Sequence, residues 1–177
     1  MQVLPTKYKK KNYKLKIQNG GAQNNKKPDI CYPNDTVKKR LELLMTNTMN
    51  AFNNKNWDLL LEIYDDNIVA GVGDGMIIKN KKEYRDMMEM GNKITPDAKI
   101  TSYETAFGCG DLTSVTGFLE GTFTGEIKNP DGTIIKPTGK HFINKNCVIA
   151  KWKDFKIIEE WSYWETDMMK SMGVKNI

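Results

Sequence analysis

Three side chains toward the C-terminal end carry types that could do proton chemistry. Glu160 and Ser162 stand two apart in the run Lys156 to Trp164, KIIEEWSYW. Its Ile, Trp and Tyr content favours an extended strand. Alternate residues of a strand share a face, so the carboxylate and the hydroxyl point the same way. Turned toward a dry cavity, a carboxyl has its pKa raised by burial and becomes a candidate general base. Ser162, Asn146 or His141 could orient its substrate. Turned toward water, Glu160 is a solvated or paired glutamate. His141 is the only histidine. No Cys, Ser or second His stands at a telling spacing from it, so a structural role and a proton-carrying role both stay open.

The other candidates point to bland roles. Glu120 sits on the polar face of its strand, and Glu165 and Asp167 suit the cap of a tail helix. Cys31, Cys109 and Cys147 are far apart and form no CxxC or Cys/His cluster, so neither a disulfide frame nor a metal site is expected. Gly71, Gly73 and Gly75 are followed by no Lys-Ser/Thr pair and no long helix, unlike a phosphate loop.

The strand with Glu160 needs a partner. His141 to Trp152 mixes Phe, Ile, Val and Trp with polar residues. Lys153-Asp154 is the expected two-residue turn between the runs. One face of the pair would carry Asn146, Val148 and Ala150 with Ile158, Glu160, Ser162 and Trp164. The other would carry Cys147 and Ile149 with Ile157, Glu159, Trp161 and Tyr163. Both faces are largely apolar, so both should be covered, one by helices and the other by a partner subunit.

The rest of the chain supplies those helices. Asn34 or Asp35 caps a helix in which Val37, Leu41, Leu44, Met45, Thr48 and Phe52 recur at helical spacing. Asn56 caps a shorter helix over Trp57 to Tyr64. A small hairpin turns at Gly73-Asp74-Gly75. Asn80 caps a third helix over Lys81 to Met90, expected to end at Gly91. Ala98 to Phe107 and Leu112 to Thr124 alternate as strands. Thr166 or Asp167 opens a tail helix burying Met168, Met169 and Met172.

With 177 residues, one domain with a substantial core is the default. Residues 1–33 form a basic arm, expected to be poorly ordered or loosely docked, and residues 34–177 form the domain. Residues 1–30 hold eight lysines and one acid, so the net charge of +5 is a property of that arm. Only Arg40 and Arg85 represent arginine, which argues against specific nucleic-acid reading. The arm could still touch an acidic partner. No apolar run reaches the ~20 residues of a membrane helix, and no secretory signal is expected. The cysteine usage fits a reducing cytoplasm.

The order of elements and several motifs resemble the SnoaL-like polyketide cyclase and ester cyclase group of the nuclear-transport-factor-2-like superfamily. The residues that carry this are Ala51-Phe52-Asn53-Asn54-Lys55-Asn56-Trp57-Asp58, Tyr64-Asp65-Asp66-Asn67-Ile68-Val69 and Val115-Thr116-Gly117-Phe118-Leu119-Glu120-Gly121. Pro137-Thr138-Gly139-Lys140-His141-Phe142, Trp152 to Trp161 and Met169-Lys170-Ser171-Met172-Gly173 complete them. The resemblance covers about residues 36–174. It implies an α+β fold in which a strongly bent antiparallel sheet forms a cone around three helices, with a pocket at the open end. It also implies acid–base chemistry without metal or organic cofactor, and a homodimer through the outer sheet face. The archetypal acid/base Asp and its assisting His fall on Ser162 and Val148 here. The family's own chemistry therefore does not carry over, and Glu160 is the carboxylate left on that face. Trp57, Tyr64, Phe107, Phe118, Asn146, Val148 and Trp164 are the expected pocket residues. The expected ligand is a small, mostly apolar molecule, acted on by a lyase-, isomerase- or hydrolase-type reaction or simply bound. A protein-interaction module is the alternative.

Overall fold

The computed structural model describes residues 29–73, 75–129 and 131–175. Most of the basic arm lies outside them, including the Tyr13-Lys14-Leu15-Lys16-Ile17 run, whose alternation would suit an edge strand. The arm's last residues form β1 (Asp29–Cys31), which pairs in parallel with β4 (Lys99–Cys109). The other elements are α1 (Asp35–Asn53), α2 (Trp57–Leu61), β2 (Tyr64–Val72), β3 (Met76–Ile78), α3 (Lys81–Ile94), β5 (Leu112–Thr122), β6 (Ile127–Lys128), β7 (Ile134–Ile135), β8 (His141–Lys153), β9 (Lys156–Trp164) and α4 (Met168–Ser171). Seven strands form one sheet in the order β1-β4-β5-β8-β9-β2-β3, and β6 and β7 form a separate ribbon. The sheet curves around α1, α2 and α3, giving the cone-shaped α+β fold.

Local chemistry explains the helix positions. The Asn34 side chain accepts the Val37 amide at 3.0 Å and starts α1. Val37, Leu41, Leu44 and Ala51 then point into the core. Arg40 is buried on the same helix. Its Nε donates to the Asp154 carbonyl at 2.8 Å and its Nη1 to the Gly110 carbonyl at 3.0 Å. One guanidinium thus fastens the β4–β5 and β8–β9 turns to α1. At the other end of α1 the Asn53 side chain bridges the backbone of Ile100, accepting its N–H at 2.8 Å and donating to its carbonyl at 2.9 Å. Lys55 takes the left-handed φ of 57° that reverses the chain. Asn56 then caps α2 through the Leu59 amide. The asparagine-rich turn after α1 is therefore a clamp on the edge of the sheet.

Four local expectations are corrected, the first being the second helix, which stops at Leu61 so that Tyr64 already belongs to β2. Helix α3 continues through Gly91 to Ile94. A glycine inside a helix costs about 1 kcal/mol, but the Thr124 and Gly125 amides both donate to the Ile94 carbonyl. A Cβ at Gly125 would lie 1.8 Å from the Lys93 carbonyl oxygen, so only glycine lets the loop dock there and cap the longer helix. The β8–β9 turn is Asp154-Phe155, because Lys153 pairs with Lys156 and Asp154 takes the positive φ of 54°. The register shifts between Lys151/Glu159 and Trp152/Ile157. The extra residue of this bulge is Ile158, so Ile157 rather than Ile158 joins Trp152 in the core.

The main core lies between the concave sheet face and α1, α2 and α3. A second cluster, Phe123, Phe142 and Met172, joins the tail to the first turns of β8. Met172 is buried there, with Met168 and Met169 half-buried beside it. The convex face keeps large side chains in the open: Ile143, Tyr163 and Phe107 are all about half exposed or more. On that face the Trp161 ring lies across Gly71, where a Cβ would come within 2.3 Å of it.

Candidate functional site

Strand β9 positions Glu160. Its register partners are Ala150 on β8 and Ala70 on β2. Two alanines leave room above the sheet, and the Glu160 side chain rises into it under α3. Only 3% of the residue is exposed, and it is the one buried acid among the described residues. Tyr64, at the start of β2, donates its hydroxyl to Glu160 Oε2 at 2.8 Å. Tyr84, from the first turn of α3, donates to Oε1 at 2.6 Å. The two hydroxyl oxygens are 3.1 Å apart and the rings pack at 4.7 Å. Among the described residues no cation pairs with this carboxyl.

Burial pushes the Glu160 carboxyl up, and the hydrogen bonds from Tyr84 and Tyr64 offset only part of that rise. Burial, then the Glu160 charge, pushes both Tyr64 and Tyr84 well above the usual phenol range. A third phenol, Tyr103 on β4, is pushed up to about 12, by burial first, against the opposing effect of the Thr48 hydroxyl. Its ring lies over Gly117, where a Cβ would come within 3.0 Å of it. The result is a carboxyl held by two phenols, Tyr64 and Tyr84. Protonated, it can donate as well as accept; ionised, it is a strong base for its class.

The concave face opens outward from this cluster. Ser162 lies two register pairs beyond Glu160, between Val148 and Val72, and Trp164 follows, paired with Asn146. Ser162, Trp164, Asn146 and Val148 are half-buried. Val72, Met87, Met88, Tyr103 and Trp57 pack at the margin of the core, also half-buried. Trp57 meets Phe52 edge-on at 5.9 Å. Tyr64 is fully part of the floor. Five expected residues, Glu160, Ser162, Asn146, Val148 and Trp164, thus share one strand pair, with Tyr64 and Trp57 beside it.

Three expected residues lie elsewhere. Phe107 pairs with Ser114 and Phe118 with Lys145. That parity puts both on the convex face, where Lys145 Nζ sits 5.6 Å from the Phe118 ring centre. The inward residues of β5 are Thr113, Val115 and Gly117, paired with Ala150, Val148 and Asn146. His141 is exposed and 3.4 Å from the Thr122 hydroxyl. It begins β8 while Ala150 lies near its end, roughly 30 Å away at ~3.3 Å per residue. His141 therefore cannot serve Glu160. Tyr84 and Tyr103 were missed. The helical stripe Tyr84, Met87 and Met88 was the available signal for the first. Tyr103 was hidden by two register shifts in β4.

Two hollows of about 350 and 370 Å³ open on the surface. The first lies among Asp58, Glu62, Lys81, Lys82 and Arg85, and the second beside His141; Glu160 lines neither. Of the residues expected at the site, only His141 lines either hollow. Among the described residues no three His, Cys, Asp or Glu side chains gather as a metal site would need, and no helix is long and apolar enough to cross a membrane.

The comparisons agree with this architecture. The family model of the SnoaL-like polyketide cyclases matches residues 42–172, and the chain belongs to that family. AclR from Streptomyces galilaeus, a candidate hydroxylase, is similar at a TM-score of 0.64 and 17% identity, over 80% of this chain and 89% of its own. Wild-type IdmH from Streptomyces antibioticus, a candidate polyketide cyclase, gives 0.60 and 18%, over 79% of this chain and all of its own. A candidate SnoaL-like polyketide cyclase from Jannaschia sp. CCS1 gives 0.67 and 10%, over 81% and 98%. At these identities the likeness concerns the fold. No curated protein matches the chain in sequence. Ser162 and Val148, the positions on which the archetypal acid/base pair is expected to fall, are direct register partners.

Proposed function

We propose that this chain binds a small, mostly apolar molecule on the open part of its concave face, with Glu160 as the proton acceptor of the site. The observation that carries this is a single buried carboxyl, with a raised pKa, at the floor of a half-exposed apolar and aromatic surface. The reaction class it supports is proton removal beside a carbonyl, of the lyase or isomerase type. Tyr84 stands between Glu160 and α3. It could accept a substrate proton at Oη while passing its own to Glu160 Oε1. Ser162 and Asn146 are the polar groups available to orient the carbonyl, and no step of this scheme uses a cofactor.

The test is deuterium exchange at the α-carbon of a panel of apolar β-keto esters, followed by proton NMR in D₂O. Wild-type protein should accelerate exchange for at least one compound. Glu160→Gln should lower that rate by about 10²-fold or more, the usual contribution of a general base, with binding retained. Exchange that survives Glu160→Gln unchanged removes Glu160 from the chemistry. One observation favours a non-catalytic carrier instead: both Glu160 oxygens already hold a tyrosine. In that case ligands bind wild type and Glu160→Gln alike, and neither exchanges.

We also propose that two copies pair through the convex face. Ile143, Tyr163 and Phe107 are exposed there, and burying them would remove a large apolar patch from water. The free thiols of Cys109 and Cys147 support a reducing, cytoplasmic setting.

A further inference from the structure

We infer that the hollow between the start of β8 and α4 is a binding site for a small oxyanion, a phosphate or carboxylate group. It is separate from the concave face. Lys140 lines it from just before β8, His141, Phe142 and Ile143 from β8, Thr166 from the loop after β9, and Lys170 and Ser171 from α4; its volume is about 370 Å³. Lys140, Lys170, His141 and Thr166 supply two ammonium groups, an imidazole and a hydroxyl, while Ser171 donates its own hydroxyl to the Met168 carbonyl at 2.7 Å. No acid lines it. Asp97 is an acid near His141 but outside the lining, and its carboxylate already accepts from the Thr122 amide and hydroxyl, each at 2.7 Å. Asp167 is engaged with the Lys170 amide at 2.9 Å as the cap of α4, and Glu165 is outside the lining.

The contrast with the other surface hollow decides the charge. There Lys81, Lys82 and Arg85 are each paired with an aspartate, Asp66, Asp86 and Asp58, and Asp58 and Glu62 line it. In the hollow beside α4, neither Lys140 nor Lys170 has an ion-pair partner among the described residues. Their charges are left for a ligand.

The walls are also held in place before any ligand arrives. Asn144 is buried, donates to the Thr166 carbonyl at 2.6 Å and accepts the Thr166 amide at 3.2 Å. This fixes the loop that presents the Thr166 hydroxyl. Thr138 donates to the Met172 carbonyl at 2.6 Å. The Lys140 stem packs on Gly173, where a Cβ would lie 2.8 Å from its Cδ, while Gly173 turns the chain at φ 79°. The apolar stem is thus anchored and its charged end free. A preorganised cationic hollow loses little on binding, and exposed charges make that binding sensitive to salt.

The test is a titration of the full-length protein with inorganic phosphate, followed by two-dimensional amide NMR and the His141 ring protons. Shifts should saturate and concentrate on residues 140–143, 166, 170 and 171, and weaken with added chloride. Lys140→Met, which keeps the anchored stem, and Lys170→Gln should each raise the Kd about fivefold, the factor that one charge at ~4 Å supplies in water. Glu160→Gln should leave the Kd unchanged. An acetate titration distinguishes a carboxylate ligand from a phosphate one: the group with the lower Kd is the one the site takes. Shifts that never saturate, that spread evenly over lysines elsewhere, or that survive both lysine variants would overturn the inference. Melting curves of each variant separate lost binding from lost folding.

Discussion

Replacing Glu160 by glutamine should change how stability depends on pH, and the sign follows from the site. Burial raises the Glu160 carboxyl in the folded chain above its unfolded value, against two hydrogen bonds that pull the other way. Between the unfolded and folded values the native state therefore holds a proton that the unfolded state has lost. Stability falls with pH across that window, by about 1.4 kcal/mol per pH unit, and levels off above the folded value. Below the unfolded value, ~4.3, Glu160 contributes no such loss. Glutamine can accept from one tyrosine and donate to the other, so Glu160→Gln keeps both contacts and drops the titration. Urea denaturation of both proteins from pH 4 to 9 measures the difference. It should start near zero at pH 4 and grow in favour of the variant as pH rises. Other carboxyls act in the opposite sense. Lys81 lowers Asp66 and Lys136 lowers Glu126. At Asp97, burial would raise the carboxyl, but the Thr122 hydrogen bonds bring it down. These are common to both proteins and cancel in the difference. Parallel stability curves for wild type and Glu160→Gln would refute the claim that burial dominates this site.

Arg40→Met should destabilise the domain by about 2–4 kcal/mol in urea melts, since it removes two bonds from a charged donor to the Asp154 and Gly110 carbonyls. Gly71→Ala should cost about 1–3 kcal/mol, because the Trp161 ring must move off its place on the convex face; near-ultraviolet circular dichroism would report that movement. Tyr163→Lys, on a residue 57% exposed in one copy, should lower the molar mass seen by light scattering from two copies to one, with the melting midpoint of the monomer little changed.

The fold was legible where one rule governs a whole element. Asn34, Asn56 and Asn80 each cap the helix that follows, and alternation alone puts Asn146, Val148 and Ala150 on one face of β8 and Trp164, Ser162 and Glu160 on one face of β9, though the bulge sets the register that pairs them. Legibility failed where a distant contact overrides a local rule. Gly91 signals a helix end, yet the Thr124-Gly125 amides supply the missing cap three residues later. Alternation puts Ile158 beside Glu160, yet one bulge exchanges it for Ile157. The candidate site shows the same division. Glu160, Ser162 and Trp164 were grouped on one face because they alternate along one strand, and the structure keeps them together. Phe107 and Phe118 were assigned to the pocket by residue type, and their register sends them outward. Tyr84 and Tyr103 come from elements distant in sequence, and no local pattern links either to a carboxylate on β9.

That assembly from distant elements bears on what the site can do. Tyr84 is the only fully buried residue of α3, and its hydroxyl is the contact of that helix with Glu160. A ligand reaching the carboxyl must take the place of that bond or pass its proton through it. Both routes make the seat of α3 depend on the protonation state of Glu160. An ionised Glu160 draws the Tyr84 hydroxyl as a charged acceptor, and charge-assisted bonds are about twice as strong as neutral ones. A protonated one can donate to either tyrosine and hold α3 less firmly. The features that make Glu160 a candidate base, deep burial and two phenol donors, thus also tie the cover of the concave face to its charge. In the proposed reaction, proton transfer and access to the floor would be coupled through one hydroxyl.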